Sequence, residues 1–392
     1  MGELTMQLSY SDSELAFRDK VRDWLTANVP THPLPPAYTA EGVASHREWE
    51  NALYTAGYAA LHWPREYGGG GADFMRQMLF DEEYHRAAAP QRLNRLALGL
   101  VGPTVIEFGS TEQKRRWLPG MLSCDELWCQ GFSEPGAGSD LSAVRTRAVL
   151  DRDEFVINGQ KIWTSLSAFA DWMFALVRTD PSQTRHRGLT YVVLPMDTAG
   201  IELRPIRQLH GEPGFSEVFF TDVRVSTKNV IGEVGDGWRV AMATLGYERG
   251  TGLGNHVRLS NDVRELVELA KRMGVADDPA CRDEIASRFA EAELFRRYMQ
   301  HIASQLAAGH GVGSRSSLIK LYWSELDARI QETALQILGP FAELADDPAC
   351  ADGSGFHRRY WHARASRIFA GTNEIQRNII GERLLGLPRE PR

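Results

Sequence analysis

Only four cysteines occur in 392 residues, Cys124, Cys129, Cys281 and Cys350, and no two are spaced as CxxC. That scarcity argues against a disulfide scaffold or a structural zinc site; free thiols are expected, and no metal. Long apolar runs are missing as well. No stretch approaches the ~18 uninterrupted apolar residues of a membrane-spanning helix. The start, MGELTMQLSYSDSELAFRDKVRDWL, has no apolar core of signal-peptide length and carries acidic residues early, unlike a transit peptide. A cytoplasmic protein is the expectation. Positive charge is also short: 44 Lys and Arg face 51 Asp and Glu, a formal net charge of −7, which argues against nucleic acid as the default partner.

What is present is the composition of an ordinary globular chain, 43% hydrophobic and 24% charged, long enough for two or three domains and a sizeable core. Residues 1–125 read as helical. In SDSELAFRDKVRDWL, Leu15, Val21, Trp24 and Leu25 fall near helical spacing, with Ser11 or Ser13 as cap. VPTHPLPP breaks the pattern, and Gly68 to Gly71 form a turn before a further helix through DEEYHR. Residues 126–232 change grammar: EFVINGQKIW places Asn158-Gly159 between two β-prone runs, a hairpin signal, and LTYVVLPM, GIELRPI and SEVFFTDVRV continue as strands. From 233 to 392 the helical period returns, with Leu318, Leu321, Tyr322, Ile330 and Leu338 on roughly one face. Helices, then strands, then helices indicate an α+β chain rather than alternating βαβ units.

GAGSDL, from Gly136, has the look of half a dinucleotide fingerprint. It lacks the third glycine, and LSAVRTRAV after it shows no clear helical face, so a Rossmann site is rejected. The segment can instead offer backbone N–H groups in a tight turn, with hydroxyls from Ser133 and Ser139, which suits a flavin edge or a pyrophosphate. A plain surface turn reads equally well. Trp163, in KIWTS, could cover a flat ring beside Thr164 and Ser165, or be ordinary core.

Taken in order, WPREYGG (63–69), GFSEPGAGSD (131–140), NGQKIWTS (158–165), QILG (336–339) and IFAGTNEIQR (368–377) resemble the acyl-CoA dehydrogenase family along nearly the whole chain. The resemblance implies an N-terminal helical domain, a middle β domain and a C-terminal four-helix-bundle domain. It implies non-covalent FAD held between the β domain and the C-terminal helices, with help from a neighbouring subunit of a tetramer, homomeric or mixed. By motif position, Phe132, Ser133, Gly138 and Ser139 would line the flavin and thioester region, and Trp163, Thr164 and Ser165 would contact the isoalloxazine ring. Arg282, Gln336, Thr372 and Glu374 correspond to further cofactor contacts; Ile285 stands where many relatives place phenylalanine beyond the arginine. Ser139, Tyr247, Arg249 and Ala370 would meet the acyl-CoA substrate. Electron-transferring flavoprotein is the oxidant the resemblance implies.

The chemistry needs a carboxylate to remove the α-proton of a thioester while the flavin accepts the β-hydrogen as hydride. Many relatives carry that carboxylate just before the GT of the last motif, where this chain has Ala370. A minority, resembling isovaleryl-CoA and long-chain dehydrogenases, carry it on an earlier helix before an arginine. TLGYERGTG provides Glu248 followed by Arg249, so Glu248 is the expected base. Ala370 retains its backbone N–H, which in the family stabilises the thioester oxygen. Gly250, Gly252 and Gly254 would widen the cavity beside Glu248, favouring a bulky, branched or steroid side-chain acyl group. An acyl-CoA oxidase, a flavin monooxygenase on the same fold, or one subunit of a mixed acyl-CoA dehydrogenase tetramer are the alternatives.

Overall fold

The computed structural model describes residues 10–248, 255–344 and 355–389, which form eleven α-helices and a seven-stranded sheet. Arg249 and the glycines at 250, 252 and 254 lie outside the described residues, as does the side chain of Glu248. Among the described residues, no helix is long and apolar enough to cross a membrane. The chain divides into two compact units, each discontinuous in sequence.

The first unit takes residues 30–72 and 90–248. It holds helices α2 (Ala40–Thr55), α4 (Gly102–Phe108), α5 (Thr111–Ser123) and α6 (Gly237–Glu248). Its strands are β1 (Trp128–Gly131), β2 (Arg147–Asp151), β3 (Glu154–Ser165), β4 (Trp172–Arg178), β5 (Leu189–Pro195), β6 (Ile201–Ile206) and β7 (Phe215–Ser226). They pair in the order β1-β4-β2-β3-β7-β6, with β5 also on β4. Side chains alternate across a strand, so each strand feeds two cores. On β4, Phe174 and Leu176 join Trp63, Trp117, Phe132 and Tyr191 on the helix-covered face, while Met173, Ala175 and Val177 pack with Phe155, Ile157 and Val218 on the other.

The Asn158-Gly159 hairpin does not form. β3 runs straight through both residues for 12 positions, and the turn lies at Arg152-Asp153, where Asp151 faces Glu154. Two interactions hold Asn158 in the strand: its amide donates to Asp222 Oδ1 (2.9 Å) and its Oδ1 accepts from Asp222 N (2.9 Å) on β7. The register shifts between Ile157 and Gly159, where Asn158 faces both Thr221 and Asp222, so the extra residue of the β-bulge lies on β7 and the Asn-Gly pair makes no turn. Gly159 sits at φ +149°, and a Cβ there would lie 2.7 Å from Thr146 Cα.

The second unit gathers residues 10–29, 73–89 and the described residues beyond 254. It contains α1 (Asp12–Asn28), α3 (Phe74–Arg86), α7 (Asn255–Arg272), α8 (Pro279–Ala307), α9 (Arg315–Leu338), α10 (Gly355–Ser366) and α11 (Asn373–Ile379). Ser11 caps α1 in a capping box with Glu14, and Arg22 joins α1 to the buried Glu83 of α3 at 2.9 Å. The bundle core is built from Leu259 and Leu266 of α7, Phe295 and Met299 of α8, and Leu326 and Ile330 of α9. The apolar face expected on α9 is met at Ile330 and Leu338, both fully buried, and not over the first turns. Leu318, Leu321 and Tyr322 are only half-buried, and the buried stripe runs through Ile319, Leu326, Ile330, Ala334 and Ile337. α9 packs against α7, α8, α10 and α11, so Ser317, Ser324 and Gln331 are buried too and no single apolar stripe marks the helix.

Candidate active site

β3 turns Phe155, Ile157 and Lys161 inward, and Lys161 is fully buried. Ile162 and Trp163 then bulge, because the register with β7 passes from Lys161–Val218 directly to Thr164–Ser216. The bulge turns Trp163 outward at φ +61°, leaving it 57% exposed and edge-on to Phe215 at 6.1 Å. Thr164 returns to the interior, and its buried Oγ1 has no hydrogen-bond partner among the described residues. Ser165 ends the strand half-buried. The outward indole leaves a flat surface for a planar heterocycle, while the orphaned Thr164 hydroxyl lies on the inward side of the same strand.

The segment from Phe132 to Ser139 is drawn against this strand. Ile162 N donates to Ser133 O at 2.9 Å, and Glu134 and Ala137 exchange backbone bonds of 3.0 Å to close a tight turn. Gly136, Gly138 and Ser139 face solvent, and Cβ atoms at the two glycines would meet open space. Phe132 is buried edge-on to Phe174 (5.7 Å) and Tyr191 (5.8 Å). Only a single 3₁₀ turn, Leu141–Ala143, follows the glycines, so no helix is available for a dinucleotide fingerprint.

A buried ion pair lies beneath the turn. Lys161 Nζ donates to Glu134 Oε1 (2.8 Å), Leu176 O (2.7 Å) and Phe132 O (3.1 Å), one acceptor for each ammonium proton. Glu134 also accepts from Arg145 N (2.7 Å) and Thr146 N (2.8 Å). Burial pushes the lysine down to about 8, only partly offset by Glu134. Burial alone would raise the Glu134 carboxyl, but Lys161 and the two N–H donors hold it below its ordinary value. The pair is therefore charged at neutral pH. Sequence reasoning missed it; the available signal was a lysine in the inward phase of a strand.

α6 is fastened to this unit through hydroxyls. Thr244 Oγ1 meets Thr104 Oγ1 of α4 at 2.8 Å in the interior, and one turn later Tyr247 donates its hydroxyl to the Glu107 carboxylate. Burial and that carboxylate raise the Tyr247 phenol above its ordinary value. Glu248 is the last residue of the helix. A cavity of about 750 Å³ opens at the other end of α6, lined among others by Asp180, His186, Arg187, Trp238 and Arg239.

The remaining expected site residues lie in the helical unit. Arg282 is exposed in the first turns of α8, and Gln336 is exposed near the end of α9. Thr372 caps α11, its Oγ1 accepting from Ile375 N at 3.3 Å. Glu374 is exposed in the first turn, where its own backbone N–H and the Thr372 hydroxyl lower its carboxyl. Ala370 adopts φ +55° just before this cap, and its N–H has no partner among the described residues. No described hydrogen bond links Arg282 or Gln336 to the 370–374 turn.

Three family models match in succession: Acyl-CoA dehydrogenase, N-terminal domain, over residues 11–125; middle domain, over 129–223; and C-terminal domain, over 235–385. Acyl-CoA dehydrogenase IpdE1 of Mycobacterium tuberculosis is 42% identical over 381 residues, covering 95% of this chain and 98% of that one. Among solved structures, the ChsE4–ChsE5 complex from Mycobacterium tuberculosis superposes with TM-score 0.84 at 32% identity, over 98% of this chain and 100% of that one. A structure described as the Tcur3481–Tcur3483 steroid acyl-CoA dehydrogenase gives TM-score 0.86 at 28% identity, with 98% and 100% covered.

Proposed function

This chain belongs to the acyl-CoA dehydrogenase family, flavoprotein oxidoreductases acting on the CH–CH group of acyl-CoA thioesters, and on that premise we propose that it oxidises a bulky or steroid-bearing acyl-CoA. The outward Trp163 carries the reading, because its exposed indole offers a flat face to a flavin ring. Non-covalent FAD would be held by Phe132, Ser133, Gly138, Ser139, Trp163, Thr164 and Ser165, and Arg282, Gln336, Thr372 and Glu374 are the further cofactor contacts that the family motifs assign. When bound, it supplies the acceptor for the β-hydrogen. Glu248 takes the α-proton, and the free N–H of Ala370 stabilises charge on the thioester oxygen. Ser139, Tyr247 and Arg249 flank the substrate, Tyr247 held in place by Glu107. Trp238, Arg187 and Arg239 at the cavity near the start of α6 suit the nucleotide end of coenzyme A.

The steroid class is supported by the similarity to the steroid acyl-CoA dehydrogenase and by the glycines that follow Glu248. A tetramer, either homomeric or mixed with a related subunit, is supported by the similarity to a two-protein complex. Electron-transferring flavoprotein is the proposed oxidant and the cytoplasm the proposed compartment. Anaerobic stopped-flow reduction with a panel of acyl-CoA thioesters tests the activity. Glu248→Gln should bind FAD and ligand yet lose at least ~10²-fold in flavin reduction. Reduction as fast as in the parent would refute Glu248 as the base, and a clear kcat/KM preference for butyryl-CoA would refute the bulky substrate.

A further inference from the structure

Ala370 and Gly371 are consecutive residues in the left-handed region, at φ +55° and +83°. Glycine takes that conformation freely, whereas alanine is strained in it, so something must hold residue 370 there. The Gln376 side chain holds the turn directly, and Asn373 closes it through its backbone while its side chain anchors it to α9. Gln376, 1% exposed, donates from Nε2 to both Ala370 O and Gly371 O at 3.2 Å each. Asn373, also 1% exposed, closes the turn by donating its N–H to Arg367 O at 2.9 Å. Its Oδ1 accepts from Lys320 Nζ at 2.6 Å and Ser324 Oγ at 3.0 Å, and its Nδ2 donates to Glu325 at 2.8 Å.

The two carbonyls of the turn are therefore spent on Gln376, while the Ala370 N–H is left unpaired among the described residues. A turn that only reversed the chain would gain nothing from a strained residue with an unused donor. We infer that Gln376 and Asn373 are positioning residues: they fix the Ala370–Gly371 turn so that the Ala370 N–H meets the thioester oxygen. The inference rests on the proposed role of Ala370. It adds that α9, through Lys320 and Ser324, sets the aim of that donor.

The test uses the FAD-loaded full-length protein with Gln376→Met, which keeps length and removes the donors, and Asn373→Asp, which keeps shape and loses the donor to Glu325. Both should retain FAD and change KM by less than about threefold, while kcat for anaerobic flavin reduction falls at least about tenfold. The second reading is made in the Glu248→Gln background, where no proton is removed. There the carbonyl stretch of a bound, isotope-labelled acyl-CoA, measured by infrared difference, should lie below that of the free thioester. Each added substitution should move it back toward the free value. If one variant fails to fold, the other decides. Parent-like turnover, or slow turnover with an unmoved carbonyl stretch, overturns the positioning role. A parent that binds acyl-CoA without oxidising it sinks the proposed activity, and the stretch alone then decides this inference.

Discussion

Replacing Lys161 with methionine keeps most of the stem volume and removes one charge from a closed ion pair. The carboxylate it leaves behind is only 8% exposed and retains two donors, the N–H groups of Arg145 and Thr146. Two carbonyls, of Phe132 and Leu176, lose their partner as well. Removing one member of a buried pair costs about 3–5 kcal/mol, chiefly because the other charge is stranded. Adding Glu134→Gln removes that charge, so the double variant should recover about 2 kcal/mol of the loss despite carrying one more substitution. Urea unfolding at neutral pH, arranged as a double-mutant cycle, measures both quantities. A double variant at least as destabilised as Lys161→Met alone would refute the reading that the pair is charged and mutually dependent.

The same lysine predicts a pH dependence. Its folded-state value of about 8 lies below the ordinary 10.5, so the unfolded chain binds more protons between those values. Its contribution is therefore least favourable below about pH 8 and improves by up to about 3 kcal/mol as pH rises toward 10.5, relative to Lys161→Met over the same range. Thr164→Val should leave the apoprotein as stable or more stable by up to about 1 kcal/mol, since the lost hydroxyl has no partner, yet weaken FAD about tenfold by titration. Unchanged FAD affinity would remove Thr164 from the flavin site. Gly159→Ala should cost at least about 2 kcal/mol in thermal or urea unfolding, because the new Cβ meets Thr146 in a conformation alanine rarely adopts. A neutral result would show that the bulge is free to relax.

The order of helices and strands was legible because it follows from residue periodicity and local propensity, and the separated motifs carried the family. Features that depend on partners distant in sequence were not. Asn158-Gly159 carries the local chemistry of a hairpin, and only Asp222, 64 residues away, holds it in a strand. Trp163 is exposed because a bulge inverts the alternation that Lys161 still obeys, and a bulge is specified by the facing strand rather than by its own residues. On α9 the buried polar side chains serve neighbours on several sides, which obscures the apolar period. Glu134 and Gln376 both lie inside recognised motifs, yet their tasks depend on atoms that no spacing rule reports. The glutamine's target lies only six residues back, across a left-handed turn that propensity does not anticipate.

The discontinuity of the two units constrains how the chain folds as it is made. Every segment of the sheet-bearing unit has been synthesised once Glu248 is added, so that unit can consolidate while translation continues. α1 and α3 have been made by then, but α8, against which α3 packs, has not. At about 5–20 residues per second the stretch from Glu248 to Ala307, the end of α8, takes roughly 3–12 s to appear. Throughout that interval Met75, Met78 and Leu79 on α3, buried with Ala303 of α8 in the finished protein, have no such cover. The nascent chain thus presents an apolar helix pair for seconds, a window in which a ribosome-associated chaperone would find its binding site and a stalled or truncated product would aggregate.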